Sequence, residues 1–231
     1  MPAVRAVASL GSPKGIPSLC WVGVSHCGSE IGDAGSGRGQ LPATADGHAG
    51  TRTDKSKVLG QLARAFQREG IDFALIGAFA MAARGVARAT ADLDVLAAGE
   101  RADDVARIML GFGYRELHRS PDAANYAAHD AQLGRVDFLF ARRPYSRAML
   151  ERATARPLTK RLQVKVVEVE DIIGLKVQSS SNNPKRLWLD LADIERLLDV
   201  HRTIDMERVR EYFRIFGRKA ELDELLGGIK R

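Results

Sequence analysis

Two aspartates, Asp92 and Asp94, stand two residues apart in the run Asp92-Leu93-Asp94-Val95-Leu96. On a β-strand, side chains alternate between faces, so both carboxylates project from one face about 6–7 Å apart. Two like charges that close are costly unless a cation neutralises them. Hard oxygen donors beside a phosphate site favour Mg²⁺ (or Mn²⁺), which takes one or two carboxylates and fills its shell with water and phosphate oxygens. A lone Asp-x-Asp is also what an ordinary exposed strand face looks like.

Its surroundings are more restrictive. Gly77 lies fifteen residues upstream, where the apolar Phe73-Ala74-Leu75-Ile76 gives way to an Ala-rich stretch. Glycine lets backbone approach a ligand closely, and a helix that starts there offers unpaired N–H groups to phosphate. A third carboxylate, Asp137, interrupts the apolar run Val136-Asp137-Phe138-Leu139-Phe140. A charge there either turns to water at a sheet edge or is paired. It meets the Asp92/Asp94 pair if its strand neighbours theirs.

The elements that must position these groups follow from periodicity. Residues 54–70 carry Val58, Leu59, Leu62, Ala65 and Phe66 at helical spacing, with Thr53 or Asp54 as cap and Gly70 as stop. Phe73–Gly77 is a short strand, 78–84 a helix closed by Gly85, Asp92–Ala97 a strand and 101–113 an amphipathic helix. Residues 114–119 and 125–130 are weaker strand candidates, and Arg135–Ala141 is a strong one. Residues 162–169 alternate as a strand, and helices follow over 170–180, 187–200, 206–216 and 220–228. Mixed strands and helices ending in a helical third predict an α/β (α+β) fold, a small mixed sheet flanked by helices with a helical C-terminal extension. The expected division is 1–52 as a disordered Gly/Ser/Pro-rich extension, 53–168 as the core and 169–231 as the helical part. Residues 1–52 hold 10 of the 22 glycines and show no sustained periodicity, which leaves little apolar area to offset ordering entropy.

The Gly turn, helix, Asp-x-Asp strand and later strand aspartate together resemble the signature of the DNA polymerase beta-type nucleotidyltransferase superfamily. Arg88-Ala89-Thr90-Ala91-Asp92-Leu93-Asp94 is similar to the small bacterial branch that includes abortive-infection toxins. So are Glu170-Asp171-Ile172-Ile173-Gly174-Leu175-Lys176 and the following Arg186, Asp190 and Asp193. The likeness spans roughly residues 57 to 200. It implies a metal site of Asp92, Asp94 and Asp137, with Asp137 also favouring deprotonation of an acceptor hydroxyl. Gly77, Ala78, Arg88, Thr90 and Lys176 would serve nucleotide binding, Arg88 and Thr90 by bracing the loop before the metal strand. Ala78 departs from the family's Gly or Ser, which removes a hydroxyl contact to phosphate. Lys176 has the alternative of being a solvated helical lysine. Arg186, Asp190 and Asp193 share a helical face at i, i+4 and i+7, where a structural Arg–Asp pair competes with substrate contact.

The bulk numbers narrow the class further. The chain has 231 residues, with 45% hydrophobic and 28% charged, near the globular average. No run of about 18 apolar residues could span a membrane. Two cysteines without a matching His or Cys cluster argue against a disulfide scaffold or zinc site and fit a reducing cytoplasm. Net charge is +6, and from Arg142 to Lys165 eight basic residues face Glu151 alone. Such a run is either a solvated face or a phosphate-facing surface.

These features lead to an enzyme that transfers a nucleoside monophosphate from an NTP to an acceptor hydroxyl. RNA (the tRNA 3′ end included) or a protein is favoured, and a small molecule such as an antibiotic is an alternative. A toxin role with an antitoxin partner fits the branch. A catalytically degenerate nucleotide- or RNA-binding module is the reading from another class. A metal-dependent Asp-x-Asp glycosyltransferase is disfavoured by the short chain.

Overall fold

The computed structural model describes residues 55–90, 92–129, 133–159 and 162–228. The Gly-rich stretch of 1–52 and the Thr53/Asp54 cap lie outside them. The elements in chain order are α1 (Lys55–Glu69), β1 (Phe73–Leu75), α2 (Gly77–Ala83), β2 (Asp92–Ala98), α3 (Ala102–Gly111), β3 (Tyr114–Arg119), β4 (Ala123–Ala128) and β5 (Arg135–Ala141). They continue with α4 (Pro144–Arg152), β6 (Thr154–Thr159), β7 (Leu162–Val166), α5 (Val169–Asn182), α6 (Leu187–Val200), α7 (Met206–Ile215) and α8 (Lys219–Gly228).

The strands form one seven-stranded mixed sheet in the order β3-β4-β5-β2-β1-β7-β6. Most neighbours are antiparallel, but β2 runs parallel to β5, and β1 meets β7 in parallel at Leu75 and Val166. The α/β expectation therefore holds. Strand β6 was not foreseen. It carries Arg156 and Pro157 inside the basic run, and it pairs only with β7 at the sheet edge. Proline is tolerated there because an outward edge needs no ladder donor.

One face of β2 and β5, Leu93, Val95, Val136, Phe138 and Phe140, is buried in the core with Leu59, Leu62 and Phe66 of α1. The ring of Phe138 lies 6.0 Å from that of Phe66. Burying this face fixes the register, since a one-residue slip would swap the faces. The same constraint sends Asp92, Asp94 and Asp137 to the opposite face.

Behind the sheet's last strands, Arg84 is a buried brace. Its guanidinium donates to the carbonyls of Val166 and Val167 and pairs with Glu168 at 3.0 Å. That ties α2 to the passage from β7 into α5. Asp171 of α5, fully buried, accepts from Arg152 at 2.8 Å and from the Tyr212 hydroxyl at 2.7 Å, which joins α4, α5 and α7.

Candidate active site

The parallel ladder of β2 and β5 sets Asp94 directly across from Asp137, and Asp92 across from Arg135. The neighbouring-strand condition for Asp137 is thus met. Asp137 is buried, and its Oδ1 accepts from Asn125 Nδ2 at 2.7 Å. Asp94 is pushed up to about 6, first by burial and then by the charges of Asp137 and Asp92, while Lys176 and Arg186 pull the other way. A half-buried carboxylate crowded by two others holds its proton unusually tightly until a cation arrives.

Gly77 meets this group from the adjoining strand-to-helix turn. Its φ is +62°, the left-handed region that favours glycine. A Cβ there would run into the Asp94 carboxylate. The Ile76 amide next to it donates to the Asp94 carbonyl at 3.2 Å. The glycine thus satisfies a backbone conformation and a close approach at once. Ala78 follows with its side chain buried, and both residues line the same cavity as Asp94 and Asp137.

The far wall of that cavity is cationic and comes from α5 and the turn that leads into α6. The Lys176 ammonium is buried and donates to Asp190 Oδ1 at 3.0 Å and Asp193 Oδ2 at 2.6 Å. It is therefore not the solvated lysine that was one alternative. Arg186 donates to Ser179 Oγ at 2.8 Å and pairs with Asp190 at 3.3 Å, the structural pair weighed from spacing. Asp193 instead pairs with Arg88 at 3.3 Å, which carries the loop before β2 onto α6. Within that loop the Thr90 hydroxyl donates to the Asp92 carbonyl and accepts from the Asp92 amide.

Three further residues belong to the site and were missed. Asn125 is one. Arg135 is the second, the register partner of Asp92, with a buried Nε that has no hydrogen-bond partner. Lys55, the first residue of α1, is the third. Burial lowers its ammonium pKa while the charges of Asp92 and Asp94 raise it, which places it near both. Its Nζ is likewise buried without a hydrogen-bond partner, as is Arg88 Nε. A lysine at a helix start and an arginine at a strand start carry no periodic signal, so only the fold brings them here.

The donor set fits a hard divalent cation. Among the described residues no three His, Cys, Asp or Glu side chains are gathered into a ready-made metal cage. Mg²⁺ does not need one, since one or two carboxylates, water and phosphate oxygens complete its shell.

The basic run of 142–165 does not form one stripe. Arg142 donates to the Pro121 carbonyl, Arg143 pairs with Asp122, Arg152 with Asp171 and Lys165 with Asp72. Arg147 and Arg156 are exposed, and Lys160 and Arg161 lie outside the described residues. No helix of the described residues is long and apolar enough to cross a membrane.

No protein-family model matches the chain, and no curated protein does. Solved structures do. The solution structure of the antibiotic-resistance factor ANT(2'')-Ia aligns with a TM-score of 0.55 at 18% identity, over 77% of this chain and 99% of that one. The crystal structure of ANT(2'')-Ia with adenylyl-2''-tobramycin gives 0.54 at 18% identity, over 73% and 99%. A lincomycin-bound lincosamide antibiotic adenylyltransferase reaches 0.47 at 15% identity, over 63% and 97%, too distant to argue from. The chain has the nucleotidyltransferase fold.

Proposed function

We propose that the protein is a Mg²⁺- or Mn²⁺-dependent nucleotidyltransferase that moves a nucleoside monophosphate from an NTP to an acceptor hydroxyl. The observation that carries this reading is the cross-strand pair Asp94–Asp137, with Asp92 beside it, in a cavity whose other wall is Lys176, Arg88 and Arg186. A divalent cation held there by the carboxylates would neutralise charge on the triphosphate. The chain's own cations do the rest of the holding. The unpartnered Nε of Arg88 and the guanidinium of Arg186 offer donors to phosphate oxygens, and Asp190 and Asp193 keep Lys176 in place. The acceptor oxygen attacks the α-phosphorus, its new P–O bond forms, the bond to the β-phosphate oxygen breaks and pyrophosphate leaves. The hydroxyl proton passes to Asp137. Positioning and charge neutralisation supply most of such a rate.

RNA or a protein remains the favoured acceptor, with exposed Arg147 and Arg156 as its support, and a toxin paired with an antitoxin is the form it takes in the branch that the Arg88–Asp94 motif resembles. The fold shared with ANT(2'')-Ia favours a second reading, a small-molecule antibiotic acceptor. Incubation of purified protein with each labelled NTP, Mg²⁺ and in turn total RNA, cell lysate or an aminoglycoside panel decides between them. Label should appear on one acceptor class and vanish in Asp92→Ala and Asp94→Ala. Transfer by Asp92→Ala at the wild-type rate would end the assignment. NTP and Mg²⁺ binding without turnover on any acceptor would favour the degenerate binding module.

A further inference from the structure

Strand β4 reads Ala-Ala-Asn-Tyr-Ala-Ala, and its one amide side chain, Asn125, is only 5% exposed. Asparagine is poorly suited to a strand interior, and a buried amide needs partners. Its partner is Asp137, its direct opposite on antiparallel β5, through the 2.7 Å bond from Nδ2 to Oδ1. We propose that Asn125 is a positioning residue that fixes the Asp137 carboxylate in the orientation required to bind a divalent cation. This rests on the metal-site reading above.

Three physical points single out asparagine. Directly opposed Cβ atoms on antiparallel strands lie about 4.5–5.5 Å apart, so the short Asn side chain spans the gap, whereas Gln carries an extra methylene. The amide is neutral, so it orients the carboxylate without neutralising it. A Lys or Arg in its place would form an ion pair that competes with the metal, and an Asp would add a fourth negative charge. Asp137 is also only 6% exposed, so water is a poor substitute for the amide donor once it is removed. Outer partners that orient a ligating side chain typically matter 10–100-fold in metal affinity or activity.

The test uses the full chain and Mn²⁺ alone, read from the electron paramagnetic resonance signal of unbound Mn²⁺. Asn125→Leu keeps the size and loses the donor. Asn125→Ala, which matches the alanines around it, serves if the leucine variant fails to fold. Circular dichroism and melting curves check the fold of each. The expected result is Mn²⁺ affinity weakened about 10-fold or more in a folded variant. A folded variant with a lower melting temperature but wild-type Mn²⁺ affinity overturns the proposal and leaves Asn125 a structural residue. Absence of Mn²⁺ binding by the wild type is a different failure, since it removes the metal site itself.

Discussion

At the scale of single residues, the carboxylate cluster makes a statement about pH. Asp94 titrates at about 6 in the folded chain against an ordinary 3.8, so the native state holds this proton more tightly than the unfolded one. The sign follows from linkage: stability is fully present below about pH 4 and falls as pH rises through 6, by up to about 3 kcal/mol. Asp94→Asn should therefore melt above wild type at pH 8 and alongside it at pH 4. Mg²⁺ should raise the wild-type melting temperature and leave that of Asp94→Asn unmoved. Equal melting curves at pH 8 without metal would show that the carboxylates are not in conflict. Gly77 gives a second prediction, because a side chain there meets both a +62° φ and the Asp94 carboxylate. Gly77→Ala is expected to cost about 1–3 kcal/mol in chemical denaturation and to abolish NTP binding. An alanine variant as stable as wild type would show that the turn has room to relax.

Elements show where the sequence was readable and where it was not. Strands β2 and β5 were legible because their alternation is strong, and α6 because a face of Leu, Ile and Asp repeats at helical spacing. Helix positions 186, 190 and 193 announced a shared face. What spacing could not tell is that this face turns inward onto another helix, so that Lys176 is buried. Nor does any local pattern mark Asn125, whose role exists only across the β4–β5 ladder, or Lys55, whose neighbours lie nearly forty positions away. Edge strand β6 was hidden by its charge and its proline. The α5–α6 contact carries its own prediction. Removing Asp190 leaves Lys176 held by Asp193 and takes away charge-assisted hydrogen bonds, at a cost of about 1.5–3 kcal/mol. Asp190→Ala should lose about that much in urea denaturation, whereas Asp199→Ala, from the exposed pair with Arg202, should lose under about 1 kcal/mol. Similar losses for both would mean that the α5–α6 cluster is open to water.

For the molecule as a whole, the cavity joins stretches of the chain that lie far apart in sequence. Asp94 and Asp137 come from the sheet and Gly77 from the start of α2, whereas Lys176 and Ser179 come from α5 and Arg186 from the turn into α6. NTP with Mg²⁺ should accordingly slow amide hydrogen exchange in α5 and the start of α6 as well as in β2 and β5. Protection confined to the strands would place the nucleotide outside the cavity.

This division of the cavity wall has a consequence for how the protein comes into being. Synthesis runs from the N-terminus, and domains tend to fold in the order they emerge. All three carboxylates leave the ribosome before Lys176, Arg186 and the acids that hold Lys176 do. A nascent chain with its sheet already formed would carry the three carboxylates exposed to water, with no cationic wall opposite them. On the proposed function, the acidic side of the nucleotide site is therefore in place before its cationic side, which is completed when α6 docks.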